Sequence, residues 1–270
     1  MNSSPQTPLP WRDRLLAGWL HRGWRGAHRL ARFLGFSGRE STLLARSRHG
    51  VLFELFAFSY IDRIVLRSGY YESEVLDALR PHLGPGAVLW DIGANFGLHA
   101  VTARLLFPAA TVIAFEPAPA VHARLLKNAA LNVAPVRTVA LALSDRTGYA
   151  PLHLAPPGNS GMTTLSPWSG GSYTGTVLVA IARGDDLIAA GTLPAPTVIK
   201  IDVEGHELAA LQGLAATLRS GACHAVIFED ALTAGSEVKT LLRSFGFTVA
   251  PLDRHENSAH TLGNFAAIRP

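Results

Sequence analysis

The sequence predicts an α/β fold: a doubly wound, mostly parallel sheet with helices on both faces, preceded by an N-terminal helical arm. Three observations predict it. From residue 87 onward, short apolar runs alternate with longer helical patterns, the signature of strand–helix–strand units. The dense turn formers Pro81-His82-Leu83-Gly84-Pro85-Gly86 set a boundary just before the first of those runs. Finally, 48% of the 270 residues are hydrophobic, which is ample for a buried core and excludes wholesale disorder.

The arm comes first. Residues 1–50 hold nine arginines and two acidic residues, a balance of +7, while the remaining 220 hold 15 basic and 18 acidic residues, a balance of −3. The overall charge of +4 is therefore a property of the arm. Over residues 11–34, Leu16, Leu20, Trp24, Ala27, Ala31 and Leu34 form one helical stripe with Arg22, Arg25, Arg29 and Arg32 mostly off it. Such a helix either touches a membrane surface or packs its stripe on the main domain. Residues 1–48 form this arm and residues 49–86 a connecting region. Val51–Leu66 reads as a strand or hairpin and Glu72–Leu79 as a helix. No run approaches the roughly 20 apolar residues of a membrane span, so the chain reads as soluble and cytoplasmic, with peripheral membrane contact open through residues 11–34. The single Cys223 excludes an internal disulfide framework and a cysteine-based zinc site.

Residues 87–270 form the main domain. Strands are expected at Ala87–Ile92, Thr111–Phe115, Val136–Leu143, Thr197–Ile201, Ala222–Phe228 and Phe247–Pro251, with a final one at Phe265–Ile268. Helices are expected at Leu98–Phe107, Ala118–Leu131, Glu207–Leu218 and Glu237–Phe245. The Gly-, Ser-, Pro- and Thr-rich stretch from Pro151 to Gly175 is too long for an ordinary connection and reads as a lid or as disorder.

Open α/β sheets bind ligands at the carboxyl ends of their strands, so the residues closing each strand are the candidates. The first strand closes with Asp91-Ile92-Gly93-Ala94-Asn95-Phe96-Gly97. Its G-x-x-x-G with a preceding acid differs from a dinucleotide fingerprint. Asp91 would repel a pyrophosphate and welcome a cation, such as the amino group or sulfonium of S-adenosylmethionine. The second closes at Glu116, 23 residues after Gly93, where an acid accepts hydrogen bonds from ribose hydroxyls. The third closes at Ser144-Asp145, placed for an adenine amino group. The fourth closes with Lys200, Asp202, Glu204 and His206, a density of ionisable groups that is costly unless they are paired or functional. The fifth closes with Glu229-Asp230, one of which should approach Asp202. A carboxylate pair there suits a divalent cation or a structural hydrogen bond, and the second reading is preferred. No metal is assigned.

Together these motifs resemble the FkbM-type S-adenosylmethionine-dependent methyltransferases. The residues that carry the resemblance are Asp91–Gly97, Phe115-Glu116-Pro117, Lys127-Asn128, Asn159-Ser160-Gly161, Lys200–Glu207 and Glu229. The resemblance implies the seven-stranded class I methyltransferase fold and O-methylation of a hydroxyl on a sugar, glycolipid or secondary metabolite. It implies that Gly93, Asn95 and Gly97 line the methionine part, that Glu116 holds the ribose, and that Ser144 and Asp145 flank the adenine. Asn159, Ser160 and Gly161 would close over the acceptor, a small molecule or glycan rather than a nucleic acid. An aliphatic alcohol needs its proton removed, so His206 is the expected general base, with Asp202 or Glu204 as alternatives and Lys200 orienting Asp202 or the acceptor. A nicotinamide oxidoreductase is disfavoured because no G-x-G-x-x-G follows the first strand, and a non-catalytic nucleoside-binding protein because it would not need the charges at 200–206.

Overall fold

The computed structural model describes residues 9–21, 41–57, 59–156, 158–233, 235–252 and 262–270. The chain divides into two compact units, 1–71 with 157–159, and 72–156 with 160–270. The division thus falls before Glu72, where the sequence had placed the domain boundary after Gly86. The turn at 81–86 lies inside the second unit.

In the first unit, α1 (Trp11–His21) is followed by a hairpin of β1 (Thr42–Arg46) and β2 (Leu52–Phe56) and by α2 (Tyr60–Ser68). The expected strand over 51–66 is therefore half hairpin, half helix. Val65 and Leu66 are buried, and Gly69 ends α2 in the left-handed conformation that favours glycine. Asp62 anchors the corner by accepting the Phe56 N–H at 2.6 Å. The arm's helix is tied to this hairpin, since Asp13 accepts the Leu44 N–H at 2.7 Å. Leu16 of the predicted stripe is fully buried. The rest of the stripe, residues 22–34, lies outside the described residues.

The second unit opens with α3 (Ser73–Leu79) and then enters the sheet. Its strands are β3 (Val88–Ile92), β4 (Thr111–Phe115), β5 (Arg137–Val139), β9 (Val198–Ile201), β10 (Ala225–Ala231), β11 (Thr248–Pro251) and β12 (Leu262–Ile268). The spatial order is β11-β12-β10-β9-β3-β4-β5. Pairs among β10, β9, β3, β4 and β5 are parallel, and β12 is antiparallel to both its neighbours. This is the seven-stranded class I methyltransferase sheet. The direction of winding reverses between β3 and β9, and ligands bind at such switch points.

The helices are α4 (Leu98–Leu106), α5 (Pro119–Leu131), α6 (Gly184–Ala189), α7 (Glu207–Gln212), α8 (Ala215–Arg219) and α9 (Glu237–Ser244). The core joins Trp90 and Phe115 to Ile199, Ile201, Leu211, Leu214 and Phe228. Trp90 can be wholly buried because its indole N–H donates to the Pro194 carbonyl at 3.1 Å.

Three expectations are corrected. The third strand, foreseen over 136–143, splits into β5 and β6 (Ala142–Leu143), and β6 leaves the main sheet to pair with β8 (Gly175–Ala182). The stretch 151–175 is no free lid. β7 (Gly148–Leu154) and β8 form an antiparallel hairpin whose tip is bridged back at His153 and Thr164. The helix foreseen over 207–218 breaks at Gly213. A Cβ there would stand 1.9 Å from the Ser144 carbonyl, and Asp185 starts α8 afresh by accepting the N–H groups of Ala216 (2.8 Å) and Thr217 (3.0 Å).

Candidate active site

The turn after β3 is shaped by its neighbours. Gly93 has φ +77°, and a Cβ on it would stand 1.9 Å from the Asp202 carbonyl. Its missing side chain therefore admits the β9 turn, where the sequence reading had it admit a ligand. Asn95 follows in the left-handed region (φ 51°), which asparagine tolerates better than most residues. Its N–H donates to Glu116 Oε2 at 3.0 Å, while the Ala118 N–H donates to Oε1 at 2.8 Å. Asn128 on α5 supports the same turn, donating from Nδ2 to the Phe96 carbonyl at 2.9 Å. Burial pushes Glu116 up to about 7 against the pull of its two backbone donors. Each Glu116 oxygen keeps a further lone pair for a ribose hydroxyl, so the residue fits a nucleoside at this mouth.

Asp91 is fully buried, and its oxygens accept no hydrogen bond among the described residues. The cation it meets is internal: Lys200 Nζ stands 3.5 Å from Asp91 Oδ1 and 3.5 Å from Asp202 Oδ2 and donates to the Gly93 carbonyl at 3.4 Å. Burial opposes the charge on Lys200, yet Asp202, Asp91 and Glu72 together hold its pKa above the ordinary lysine value.

Beyond Lys200 the β9 mouth is acidic. The parallel register of Phe228 with Ile201 sets Glu229 alongside Asp202. Burial, reinforced by Asp202 and Glu229, pushes Glu204 up to about 8; burial with Asp202 and Glu72 does the same for Glu229. Asp202 is also raised by burial, against the pull of Lys200. Asp230 leaves this group and pairs with Ser236 and, at 3.7 Å, with Lys239.

Two members had no signal in the sequence. Glu72, left-handed at φ 51° just before α3, sits 3.6 Å from His99 Nε2 on the first turn of α4. Both residues press on the charges of Asp202. Their pairing joins residues 27 apart in sequence, and no local pattern announces it.

His206 begins α7 with both ring nitrogens engaged. Ser144 Oγ lies 3.1 Å from Nε2 and Ser166 Oγ 3.0 Å from Nδ1. Burial lowers its pKa below the usual histidine value, with Asp145 opposing, so the ring is neutral at physiological pH. Ser144 is fully buried and its hydroxyl is taken up by His206 and Asp145, leaving Asp145 as the accessible group for an adenine edge. Of the three residues expected at the acceptor, one falls in the first unit and two in the second. Asn159 falls with the first unit, whose Tyr60 N–H donates to the Gly158 carbonyl at 3.0 Å, while Ser160–Met162 is a short helical turn of the second. The hairpin tip reaches the site through Thr164 and Ser166 instead.

Residues 91–249 match the sequence pattern described as the methyltransferase FkbM domain. The chain belongs to that family. The FkbM-domain chain is 33% identical over 149 residues to the hexuronic acid methyltransferase AglP of Haloferax volcanii, a match covering 55% of this chain and 59% of that protein. It is 30% identical over 220 residues to the 31-O-demethyl-FK506 methyltransferase FkbM of Streptomyces tacrolimicus, covering 70% of this chain and 79% of that one. It thus spans about three-fifths of the first relative's length. The solved structure of methyltransferase FkbM from Methylobacillus flagellatus KT is 16% identical, with a TM-score of 0.47, and the match covers 67% of this chain and 43% of that one. The methyl donor of this FkbM-type domain is S-adenosyl-L-methionine, and the turn around Glu116 is where the residues fit its nucleoside. Among the described residues, no helix is long and apolar enough to cross a membrane.

Proposed function

We propose that this chain methylates a hydroxyl group on a sugar, glycan or secondary metabolite, with His206 as the general base. The observation that carries the reading is the His206 ring held between two hydroxyls at the β9 mouth, close in sequence to Asp202 and Glu204. S-adenosylmethionine supplies an electrophilic methyl group on a sulfonium. The chain's own residues do the rest. Glu116 receives the ribose hydroxyls, Asp145 the adenine edge, and the Asn95 turn the amino-acid part. Lys200 holds Asp202 in place by their 3.5 Å ion pair. His206 accepts the acceptor's proton, which an alcohol does not release unaided at neutral pH. Two relatives named for a hexuronic acid and for a 31-O-demethyl compound support an oxygen acceptor of this kind.

Isothermal titration with S-adenosylhomocysteine and with NAD tests the cofactor. Heat with the first alone is expected, and no heat with it would overturn the reading. Isotopically labelled S-adenosylmethionine in a cell extract then tags the acceptor. With that acceptor, His206→Ala should lose about 10²- to 10⁴-fold in kcat, the usual contribution of a general base; a near-normal kcat removes His206 from that role.

A further inference from the structure

Ser166 lies in the β7–β8 hairpin tip, outside every motif that drew attention to the site. Its N–H donates to Thr164 Oγ1 at 2.9 Å, and Thr164 Oγ1 in turn donates to the Glu204 carbonyl at 2.7 Å. Glu204 and Gly205 are both left-handed, at φ 54° and 90°, so this carbonyl belongs to a turn that the backbone does not favour unaided. Thr164 is buried and clips the hairpin tip to that turn. The clip delivers the Ser166 hydroxyl to His206 Nδ1.

Hydrogen counting then fixes the ring. Ser144 has one hydroxyl proton and two neighbours, His206 Nε2 at 3.1 Å and Asp145 Oδ1 at 3.1 Å. An ionised carboxylate only accepts. If Ser144 gave its proton to the imidazole, its oxygen would face Asp145 with no hydrogen between them. The arrangement with every link made has Ser144 donating to Asp145 and His206 Nε2–H donating to Ser144. Nδ1 is then the basic nitrogen, and Ser166 donates to it. Arg146 Nη1 caps the outer end at 3.3 Å from Asp145 Oδ1. Both Asp145 and Arg146 side chains are largely open to water.

We propose that Ser166 is a positioning residue for His206: it leaves Nδ1 as the basic nitrogen and completes a chain, Ser166–His206–Ser144–Asp145, that passes one proton from the site to the surface. This rests on the reading of His206 as general base. A proton arriving at Ser166 Oγ sends that residue's own proton to Nδ1. The Nε2 proton moves to Ser144, Ser144's proton moves to Asp145, and Asp145 loses it to water. No charge is left behind, because the sulfonium loses its positive charge with the methyl group, and proton exchange with water returns the ring from the Nδ1–H to the Nε2–H form before the next turnover.

Nitrogen-15 correlation spectra of His206 in the full chain, assigned by comparison with His206→Gln, test this. The unmodified chain should show the Nε2–H form, with Nδ1 shifted as a hydrogen-bonded acceptor. Ser166→Ala should move Nδ1 to the position of an unbonded nitrogen, and Ser166→Thr should restore it. Ser144→Ala should convert the ring to the Nδ1–H form, now donating to Ser166. A Nδ1–H form in the unmodified chain, or an Nδ1 resonance unmoved by Ser166→Ala, would overturn the proposal. Titration of the unmodified chain with S-adenosylhomocysteine is separate: its failure removes the methyltransferase reading and leaves the tautomer result standing.

Discussion

At the mouth of β4 a single buried acid, Glu116, is held by two backbone N–H groups and carries little company of its own sign. At the mouth of β9, Asp202, Glu204 and Glu229 act on one another's surroundings, and the Lys200 ammonium pairs with Asp202 at 3.5 Å. Both regions bury carboxylates, and burial raises the pKa in both. They differ in what opposes the burial. Backbone dipoles are fixed and cost nothing to orient, so Glu116 is held rigidly by the Asn95 and Ala118 N–H groups. The β9 acids oppose one another, so that mouth depends on its lysine. The two mouths therefore differ in the source of their compensating charge, backbone dipoles at β4 and an ammonium at β9.

The largest effect that tests this contrast comes from Lys200→Met. Removing the ammonium leaves the fully buried Asp91 without its cation and the half-buried Asp202 without its ion pair, a change worth about 3–5 kcal/mol when one partner of a buried pair is deleted. Urea unfolding should show a loss of that size, and an unchanged midpoint would mean that the β9 mouth does not rest on Lys200. Glu116→Ala comes next and acts on binding. Losing charge-assisted hydrogen bonds of about 1.5–3 kcal/mol should weaken S-adenosylhomocysteine roughly 10- to 100-fold, as read by titration calorimetry. Full affinity in that variant would remove Glu116 from the ribose. The smallest effect is a slope. Glu204 and Glu229 keep their protons in the folded chain up to about 8, whereas the unfolded chain loses them near 4.5. The folded state thus binds more protons between those values, and its stability falls as pH rises through that window. Glu229→Gln should flatten the decline in Tm between pH 5 and 8, and an unaltered slope would sever Glu229 from the cluster.

Much of this was legible along the chain. Apolar runs that end in charged residues marked the mouths of β3, β4, β9 and β10, because a strand buried on both faces tolerates charge only at its end. Glu116 and Lys200 stood out for that reason. Their partners did not. Asp91 looked like a receiver for a ligand cation, and only the pairing of β3 with β9 shows that the cation is Lys200, 109 residues away. Ser166 sat in a Gly- and Ser-rich stretch with the composition of a loose loop. Its value depends on Thr164 reaching Glu204, a contact without a local pattern. Gly213 carried no more weight than any other mid-helix glycine until Ser144's carbonyl was found against it.

The sequence by itself determined the α/β class, the charged strand ends and the basic character of the arm, since each follows from the order of apolar, charged and turn-forming residues along the chain. Only the tertiary structure decided which charges neutralise one another and which hydroxyls meet the two ring nitrogens of His206. Those depend on distances between residues remote in sequence, and electrostatic and hydrogen-bond energies are set by such distances rather than by spacing along the chain.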